Sequence, residues 1–223
     1  MTWIDLGNPT PWAEPREYRP VSWPEGMKVT LPKRICNVAK TYAQIAERRR
    51  TRYSFRSLSK EMLGDLLGLT LRIQQVGNDK LGFPLTWRPA PSAGAIHPIH
   101  LVAQLGKGEC WYRYEAGQHV LIELPSAIDA NLVRGALNEL LPSGDAAMLL
   151  FVAEPGKTFA KYANGCSLVW RDAGVLLGYF SVAAEALGLN FSPLGVTGEP
   201  WASQLVEEPG LVGVGAAFVG AAP

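Results

Sequence analysis

An uninterrupted apolar run from Ala146 to Ala153 constrains the possible fold more than any other stretch of the chain. A strand in which every residue is apolar is buried on both faces, so its sheet needs a layer of structure on each side. The longest predicted helix, Leu168 to Leu187, follows this strand and ends at Gly188, a residue that suits the left-handed position after a helix. A final strand is predicted from Leu211 to Val219.

The spacing of apolar residues predicts the remaining elements. Met62, Leu63, Leu66 and Leu67 recur with a helical period and predict a helix that begins near Ser59. The other predicted elements are a helix from Asn37 into an arginine cluster, the strands Ile99 to Leu105, Cys110 to Tyr114 and Val120 to Leu124, and a helix from Asp129 to Leu141. The short connection between the last two strands predicts a hairpin. Together these elements predict an α+β fold with a mixed, mainly antiparallel sheet flanked by helices.

Residues 1–33 are rich in proline and lack periodicity, which predicts an extended arm ahead of a domain that spans residues 34–223. The aromatic and apolar residues of this arm include Trp3, Ile4, Trp12 and Trp23. They indicate that the arm packs against its own body or against a partner subunit. A disordered arm is the alternative.

Composition excludes several classes of function. A net charge of +1 gives no general attraction for nucleic acid or for an acidic membrane surface. No apolar run reaches the roughly 20 residues of a transmembrane helix, and the first residues lack a secretory signal pattern. Cys36, Cys110 and Cys166 are scattered, which argues against disulfides and a zinc site and favours the cytoplasm. With only 3 histidines, we predict no metal site.

Arg48, Arg49, Arg50, Thr51 and Arg52 form a basic cluster at the end of a predicted helix. Guanidinium groups bind phosphate oxygens in a bidentate manner, so this cluster is a candidate phosphate site. A solvated helix end whose cations complement the helix dipole explains the same residues equally well. Nucleic-acid binding is a third interpretation, which we do not expect because no basic face extends elsewhere.

Two stretches offer main chain rather than side chains to a ligand. The run Ala90 to Pro98 is a loop of small residues before a strand, which a flat ligand can approach closely. From Gly188 to Gly195 we expect the chain to leave the long helix and enter a turn. There the main-chain amides of Leu194 and Gly195 can donate to an acceptor on a ligand, whereas Pro193 has no amide hydrogen. Ordinary turns and a helix C-cap explain the same glycines.

Four stretches, which span about residues 45 to 215, carry a resemblance to a known family. They are RRRTRYSFRSLSKEML, APSAGAIHPIHLV, KY at 161–162 and DAGVLLGYFSVAAEALGLNFSPLG. The chain resembles the nitroreductase-like flavoproteins, and among them the SagB-type dehydrogenases, the azoline oxidases of thiazole/oxazole-modified peptide maturation. The resemblance implies an FMN cofactor at the interface of a homodimer. It also implies oxidation or reduction of a small molecule or modified peptide, including dehydrogenation of a peptide-borne or small heterocycle.

The resemblance assigns roles to residues at matching positions. The residues it places at the flavin phosphate and pyrimidine edge are Arg48, Arg49, Thr51 and Arg52. The resemblance places four loop residues along the ribityl chain and ring of the flavin: Pro91, Ser92, Ala93 and Gly94. His97 occupies a position at which relatives often carry Gln or Tyr. Those whose main chain the resemblance places near N5 are Pro193, Leu194 and Gly195. Lys161 and Tyr162 match a pair proposed to remove protons during oxidation. An exposed surface pair explains these two residues equally well.

Several positions depart from the family pattern. A loop position that is often Asn is Ala95, and the C-terminal segment AAFVGAAP lacks the usual basic residue. One missing charged hydrogen bond to phosphate costs about 1.5–3 kcal/mol, which weakens FMN binding without abolishing it. The alternative is therefore a degenerate member of the family that serves as a binding or scaffold subunit.

Overall fold

The computed structural model describes residues 4–33, 38–78 and 80–223. Trp3, Cys36 and the predicted helix start at Asn37 lie outside these ranges. The helices are α1 (Tyr42–Arg48), α2 (Lys60–Thr70), α3 (Ala130–Asn138), α4 (Pro155–Lys161) and α5 (Cys166–Leu187), with 3-10 turns at Ala93–Ala95 and Ala202–Gln204. The strands are β1 (Thr10–Pro11), β2 (Lys28–Thr30), β3 (Gln75–Val76), β4 (Thr86–Trp87), β5 (Ile99–Gln104), β6 (Trp111–Glu115), β7 (Val120–Leu124), β8 (Ala147–Ala153), β9 (Tyr162–Ala163), β10 (Leu189–Leu194) and β11 (Val212–Ala221).

Seven strands form one antiparallel sheet in the order β10-β11-β8-β5-β6-β7-β2. Helices α2 and α5 cover one face, and α3 with the segment after Ala202 covers the other. In β8, Leu149 and Phe151 pack into the first layer, whereas Met148 and Leu150 pack into the second. Both faces of β8 are therefore apolar, and the predicted α+β fold with a mainly antiparallel sheet is confirmed.

Helix α2 forms where its capping residue and apolar spacing predict it. The Ser59 hydroxyl accepts a hydrogen bond from the Met62 amide at 3.2 Å, which satisfies one of the free amides of the first turn. Leu63, Leu66 and Leu67 are buried as predicted. Met62 is 38% exposed, so its predicted inward position is wrong. It lies one residue before Leu63, and this turns its side chain by about 100° away from the buried face.

The segment after α5 is a strand and not the turn that the sequence predicts. Gly188 ends α5 with a left-handed φ of 72°, and β10 then pairs with β11 over its full length. Leu189 and Phe191 are buried against α5, which explains the pairing. Pro193 is tolerated because β10 is an edge strand of the sheet, where a missing amide costs no ladder hydrogen bond. Among the described residues, no helix is both long and apolar enough to cross a bilayer.

The arm packs against the body of its own chain. Its strand β2 pairs with β7 and extends the main sheet at one edge. Its strand β1 pairs with β9, directly after α4. The described part of the arm therefore makes its main-chain contacts within a single chain.

Candidate functional site

The loop from Pro91 to Gly94 is fixed by a carboxylate beneath it. The Ser92 hydroxyl donates to Asp172 at 2.5 Å, and the Ala93 amide donates to the same carboxylate at 3.1 and 3.3 Å. The Ser92 oxygen in turn accepts a hydrogen bond from the His97 amide at 2.9 Å. These bonds hold the loop on α5, so that its main chain lies in one arrangement before any ligand binds.

Asp172 is a residue that the sequence reasoning missed. It lies on the buried face of α5, three residues after Val169 and one before Ala173, both of which are buried. An acidic residue on an otherwise apolar helix face was the available signal. Burial raises the pKa of Asp172, while the hydrogen bonds from Ser92 and Ala93 oppose that rise.

Gly94 brings the loop against the predicted proton-transfer pair. Its φ is 65°, and a Cβ added there would lie 2.8 Å from both the Lys161 Nζ and the Tyr162 hydroxyl. The ammonium group also lies 5.6 Å from the centre of the Tyr162 ring. The structure therefore places Gly94 and Lys161, 67 residues apart in sequence, in direct proximity. A side chain at position 94 would have to displace the ends of Lys161 and Tyr162 and adopt a φ that favours glycine.

His97 is neutral at physiological pH. Burial, assisted by the positive charge of Arg88, lowers the pKa of His97 to about 4. Burial also lowers the pKa of Arg88 to about 10. Both residues line a small cavity of about 20 Å³ with Ser92 and Asp172. We name the set formed by residues 91–94, His97, Lys161, Tyr162 and Asp172 the loop half-site.

The arginine cluster lies at the other end of α5. Arg48 and Arg52 are exposed, whereas Arg49 is partly buried. The Arg52 guanidinium donates to Glu185 at 3.0 Å, and the Lys40 ammonium lies 3.4 Å from the same carboxylate. Glu185, buried near the end of α5, is a second residue that the sequence reasoning missed.

Thr51 lies beside the C-terminal stretch that the sequence singled out. With Tyr53, it lines a cavity of about 410 Å³ that is also lined by Pro193, Leu194 and Gly195. Gly195 is exposed, and a Cβ there would meet nothing within 4 Å. We name the set formed by residues 48–52 and 193–195 the arginine half-site.

Within one chain the two half-sites do not meet. Asp172 and Glu185 are 13 residues apart on α5, which corresponds to about 20 Å along the helix axis. Strands β11 and β8 also separate β10 from β5, a spacing of about 14 Å across the sheet. The structure thus assembles the predicted site residues into two groups rather than one.

Arg56 is a further cation near the end of α5 at which the arginine half-site lies, and it pairs with the C-terminal strand β11. The Arg56 and Ala221 main chains exchange two hydrogen bonds of 2.9 Å, and the Arg56 side chain is exposed. Ala221 also pairs with Leu189, which follows the C-cap of α5. Arg56 therefore places a cation beside the strand β11, whose own last segment, AAFVGAAP, contains no basic residue.

Comparisons with known proteins agree with this architecture. A candidate nitroreductase from Ralstonia eutropha has a TM-score of 0.68 at 19% identity, over 94% of this chain and 98% of that chain. A candidate nitroreductase from Anabaena variabilis has a TM-score of 0.59 at 18% identity, over 72% of this chain and 34% of that one. The E. coli microcin synthetase McbBCD complex with truncated pro-MccB17 bound gives 0.59 at 15% identity, over 93% and 79%. These similarities concern the fold.

No curated protein sequence matches the chain. The model of the Nitroreductase family, by contrast, matches residues 45–207, which is most of the chain and includes both half-sites. The matched segment begins in α1 and ends after the second 3-10 turn. The chain therefore belongs to the Nitroreductase family, a family of oxidoreductases.

Proposed function

We propose that this protein is an FMN-dependent oxidoreductase whose flavin site forms between two copies of the chain. The observation that carries this proposal is the division of the candidate residues into two half-sites at opposite ends of α5. One half-site offers cations and bare main chain, and the other offers a fixed loop with two polar side chains. Neither alone surrounds a ligand as long as FMN.

The exposed face of α5 supports the association of two copies. Trp170, Val175 and Tyr179 are 37–48% exposed on this helix. Between them, a Cβ at Gly174 or Gly178 would meet nothing within 4 Å, so a second helix can approach closely there. Exposed aromatic residues beside small ones are typical of buried interface cores.

The position of Gly178 relates the two half-sites. It lies six residues after Asp172 and seven before Glu185. Antiparallel packing of two α5 helices about a two-fold axis at Gly178 brings Asp172 level with Glu185 of the partner subunit along the helix axis. Each loop half-site would then lie at the same level along the helix axis as the partner's arginine half-site.

The residues present fit FMN in their chemistry. Arg48, Arg49, Thr51 and Arg52 would bind the phosphate, because guanidinium groups and a hydroxyl suit phosphate oxygens. The main chain of Pro193–Gly195 and of Pro91–Gly94 would lie along the ring and the ribityl chain. Bound FMN supplies the hydride chemistry, and the protein supplies placement, hydrogen bonds and exclusion of water.

Lys161 and Tyr162 are the residues we propose for proton transfer. Their Nζ and hydroxyl converge on Gly94, so both lie beside the loop that we propose to contact the flavin. A positioned acid or base of this kind contributes roughly 10²–10⁴-fold to a rate. The resemblance to SagB-type dehydrogenases and the likeness to the microcin synthetase complex support a peptide-borne or small heterocycle as the substrate.

A flavin titration tests the proposal. Purified protein is expected to absorb in the near-ultraviolet and blue, and apo-protein to regain this absorbance on addition of FMN. Arg52→Ala is expected to weaken FMN binding about 10- to 100-fold, the equivalent of 1.5–3 kcal/mol. Lys40→Met is the matched control, because Lys40 also contacts Glu185 but lies outside the proposed phosphate site. Colourless protein that gains no flavin would refute the proposal.

Two variants test the subunit interface separately. Gly178→Trp on the exposed face of α5 is expected to give a monomer that does not retain flavin. Gly135→Trp on α3 is the control, since Gly135 is exposed and also has open space around its Cα. A flavin-bound monomer from Gly178→Trp would show that the site does not need a second copy.

One observation favours the alternative of a non-catalytic scaffold subunit. Arg52, one of the cations of the proposed phosphate site, is already paired with Glu185. If that pair persists, the phosphate loses one donor and the fold remains intact. Absence of flavin binding in both the native protein and the Arg52→Ala variant, with the dimer retained, would select this alternative.

A further inference from the structure

The first part of the arm lies along the main chain that carries the proposed proton-transfer pair. Strand β1 pairs with β9, in the register Thr10 to Ala163 and Pro11 to Tyr162. The Trp12 amide donates to the Lys161 carbonyl at 2.9 Å, and the Trp12 indole donates to the Phe159 carbonyl at 2.9 Å. Residues 4–16, which we name the strap, thus cover the main-chain edge of residues 159–163.

Main-chain hydrogen bonds dominate the attachment of the strap. The Arg16 amide donates to the Ala160 carbonyl at 2.8 Å, and the Arg16 guanidinium stacks on the Trp12 ring at 3.9 Å. Thr10, Pro11 and Arg16 are exposed. A segment held by exposed hydrogen bonds with little buried apolar surface opens at low free-energy cost.

The next part of the arm is attached in a different way. Glu154, fully buried, accepts hydrogen bonds from the Val21 amide at 2.6 Å and from His100 at 2.8 Å, and it pairs with Lys157 at 3.1 Å. Burial alone would raise the pKa of Glu154, yet His100 and Lys157 lower it to about 2. This part of the arm therefore stays attached when the strap leaves.

We infer that residues 159–163 are a docking edge for an extended peptide, and that the strap occupies this edge in the resting chain. Among the described residues, β1 is the strand that pairs with β9, so its departure exposes this edge. It also frees the carbonyls of Phe159, Ala160 and Lys161 at the end of α4, which accept hydrogen bonds from the strap. Such an edge accepts an incoming strand through the same main-chain hydrogen bonds. The partner is an unmodified stretch of peptide chain beside the group that reacts.

The docking edge lies beside the proposed proton-transfer pair, so its role in binding substrate rests on the proposed function. Tyr162 lies within β9, and Lys161 accepts the Trp12 hydrogen bond through its carbonyl. A peptide docked in place of the strap has one residue opposite Tyr162, whose hydroxyl reaches Gly94. Pro11 already shows that the position opposite Tyr162 needs no amide donor, so a residue whose nitrogen lies within a heterocycle is compatible with it.

Binding of a labelled peptide to the full chain tests the inference. The probe is a fluorescein-labelled peptide with the sequence of residues 4–18, measured by fluorescence anisotropy. Trp12→Ala in the protein removes the indole hydrogen bond and the stacking on Arg16, which loosens the strap. We expect this variant to bind the probe about tenfold more tightly than the native chain, because more of its docking edge is free.

A disulfide provides the matched control. Thr10→Cys with Ala163→Cys joins register partners whose Cα atoms lie about 5.5 Å apart in such a ladder, which a disulfide spans. The three native cysteines are replaced by serine in this variant. Oxidised protein is expected not to bind the probe, and reduction is expected to restore binding. A probe with proline at the Trp12 position lacks the amide hydrogen that the Lys161 carbonyl accepts, and we expect this probe not to bind.

The outcomes separate this inference from the proposed function. Equal binding by oxidised and reduced protein, or no gain in Trp12→Ala, would overturn the docking edge. Flavin absorbance, recorded on the same samples, reports on the cofactor alone. Probe binding by protein that holds no flavin would support the docking edge and refute the oxidoreductase proposal. Flavin binding by protein that does not bind the probe would support the oxidoreductase proposal and refute the docking edge.

Discussion

The loop half-site and the arginine half-site differ in how much of their geometry a single chain determines. Ser92 and Ala93 are bound to the buried Asp172, and Gly94 lies against Lys161 and Tyr162. In the arginine half-site, Arg48 and Arg52 are exposed, and Thr51 lines an open cavity with Pro193, Leu194 and Gly195. The difference supports the proposed division of roles, in which the loop half-site serves the chemistry and the arginine half-site holds a charged ligand.

The largest effect is expected from the loop half-site's polar pair. Lys161→Met and Tyr162→Phe should each lower the rate of flavin-coupled turnover by roughly 10²–10⁴-fold, because a positioned proton carrier is lost. Flavin affinity should stay unchanged, since neither residue belongs to the phosphate site. Stopped-flow absorbance of the flavin measures the rate, and titration measures the affinity. Equal losses in rate and affinity would erase the proposed division of roles.

The close approach at Gly94 is expected to give the next effect. Gly94→Val places side-chain atoms where the Lys161 Nζ and Tyr162 hydroxyl lie, and it forces a branched residue to a φ of 65°. We expect loss of flavin binding and a decrease in unfolding free energy of about 1–3 kcal/mol. Gly106→Val is the control, because Gly106 has a φ of 55° with open space around it. If both variants retain flavin to the same extent, backbone strain is the only effect of the substitution at Gly94, and the contact with Lys161 and Tyr162 does not affect flavin binding.

Asp172 is expected to matter for the order of the loop. Asp172→Asn removes a charged acceptor shared by Ser92 and Ala93, and we expect a loss of about 1–3 kcal/mol in unfolding free energy. Urea denaturation measures it, with Ser92→Ala as the variant that removes one of the two donors. A double variant no worse than Asp172→Asn would confirm that both act through the same contact. Full additivity would contradict it.

The arginine half-site is expected to be less important for stability. Glu185→Gln should lower the unfolding free energy by about 1 kcal/mol or less, because Arg52 and Lys40 are both partly solvated. The same variant should raise FMN affinity, since it releases Arg52 for the phosphate. Parallel urea and flavin titrations test both points. Weaker FMN binding would mean that Glu185 holds Arg52 in place for the ligand.

His97 is expected to give the smallest effect near neutral pH and a larger one in acid. Its folded-state pKa of about 4 lies below its ordinary value of 6.5, so folding favours the neutral ring. This contribution to stability is complete above pH 6.5 and is lost as the pH falls toward 4. His97→Gln should therefore lose less stability than the native chain between those values. Identical acid dependence, followed by urea denaturation, would contradict a neutral buried His97.

Much of the fold follows from local patterns in the sequence. Leu63, Leu66 and Leu67 have helical spacing, and the apolar run before Ala153 allows only a buried strand. Strand β10 could not be predicted, because Gly188 and Pro193 suggest a turn and only pairing with β11 overrides them. Propensity is a weak guide where tertiary contacts decide.

Most residues of the candidate site were named from the sequence and their roles stay predictions, whereas their arrangement appears only in the folded chain. The Pro91–Gly94 loop and Lys161–Tyr162 stand out from the sequence, whereas their contact depends on folding. Asp172 and Glu185 act through partners 79 and 133 residues away, and no local pattern reveals such bonds. The separation of the two half-sites along α5 is likewise a property of the folded chain alone.

Flavin stoichiometry in a mixed dimer tests the central claim most directly. One chain carries Gly94→Val, which disables the loop half-site, and the other carries Arg49→Ala with Arg52→Ala, which weakens the arginine half-site. If each site combines half-sites from two copies, the heterodimer keeps one intact site and binds one flavin with native affinity. If each site lies within one chain, both sites are damaged and the heterodimer binds no flavin with native affinity.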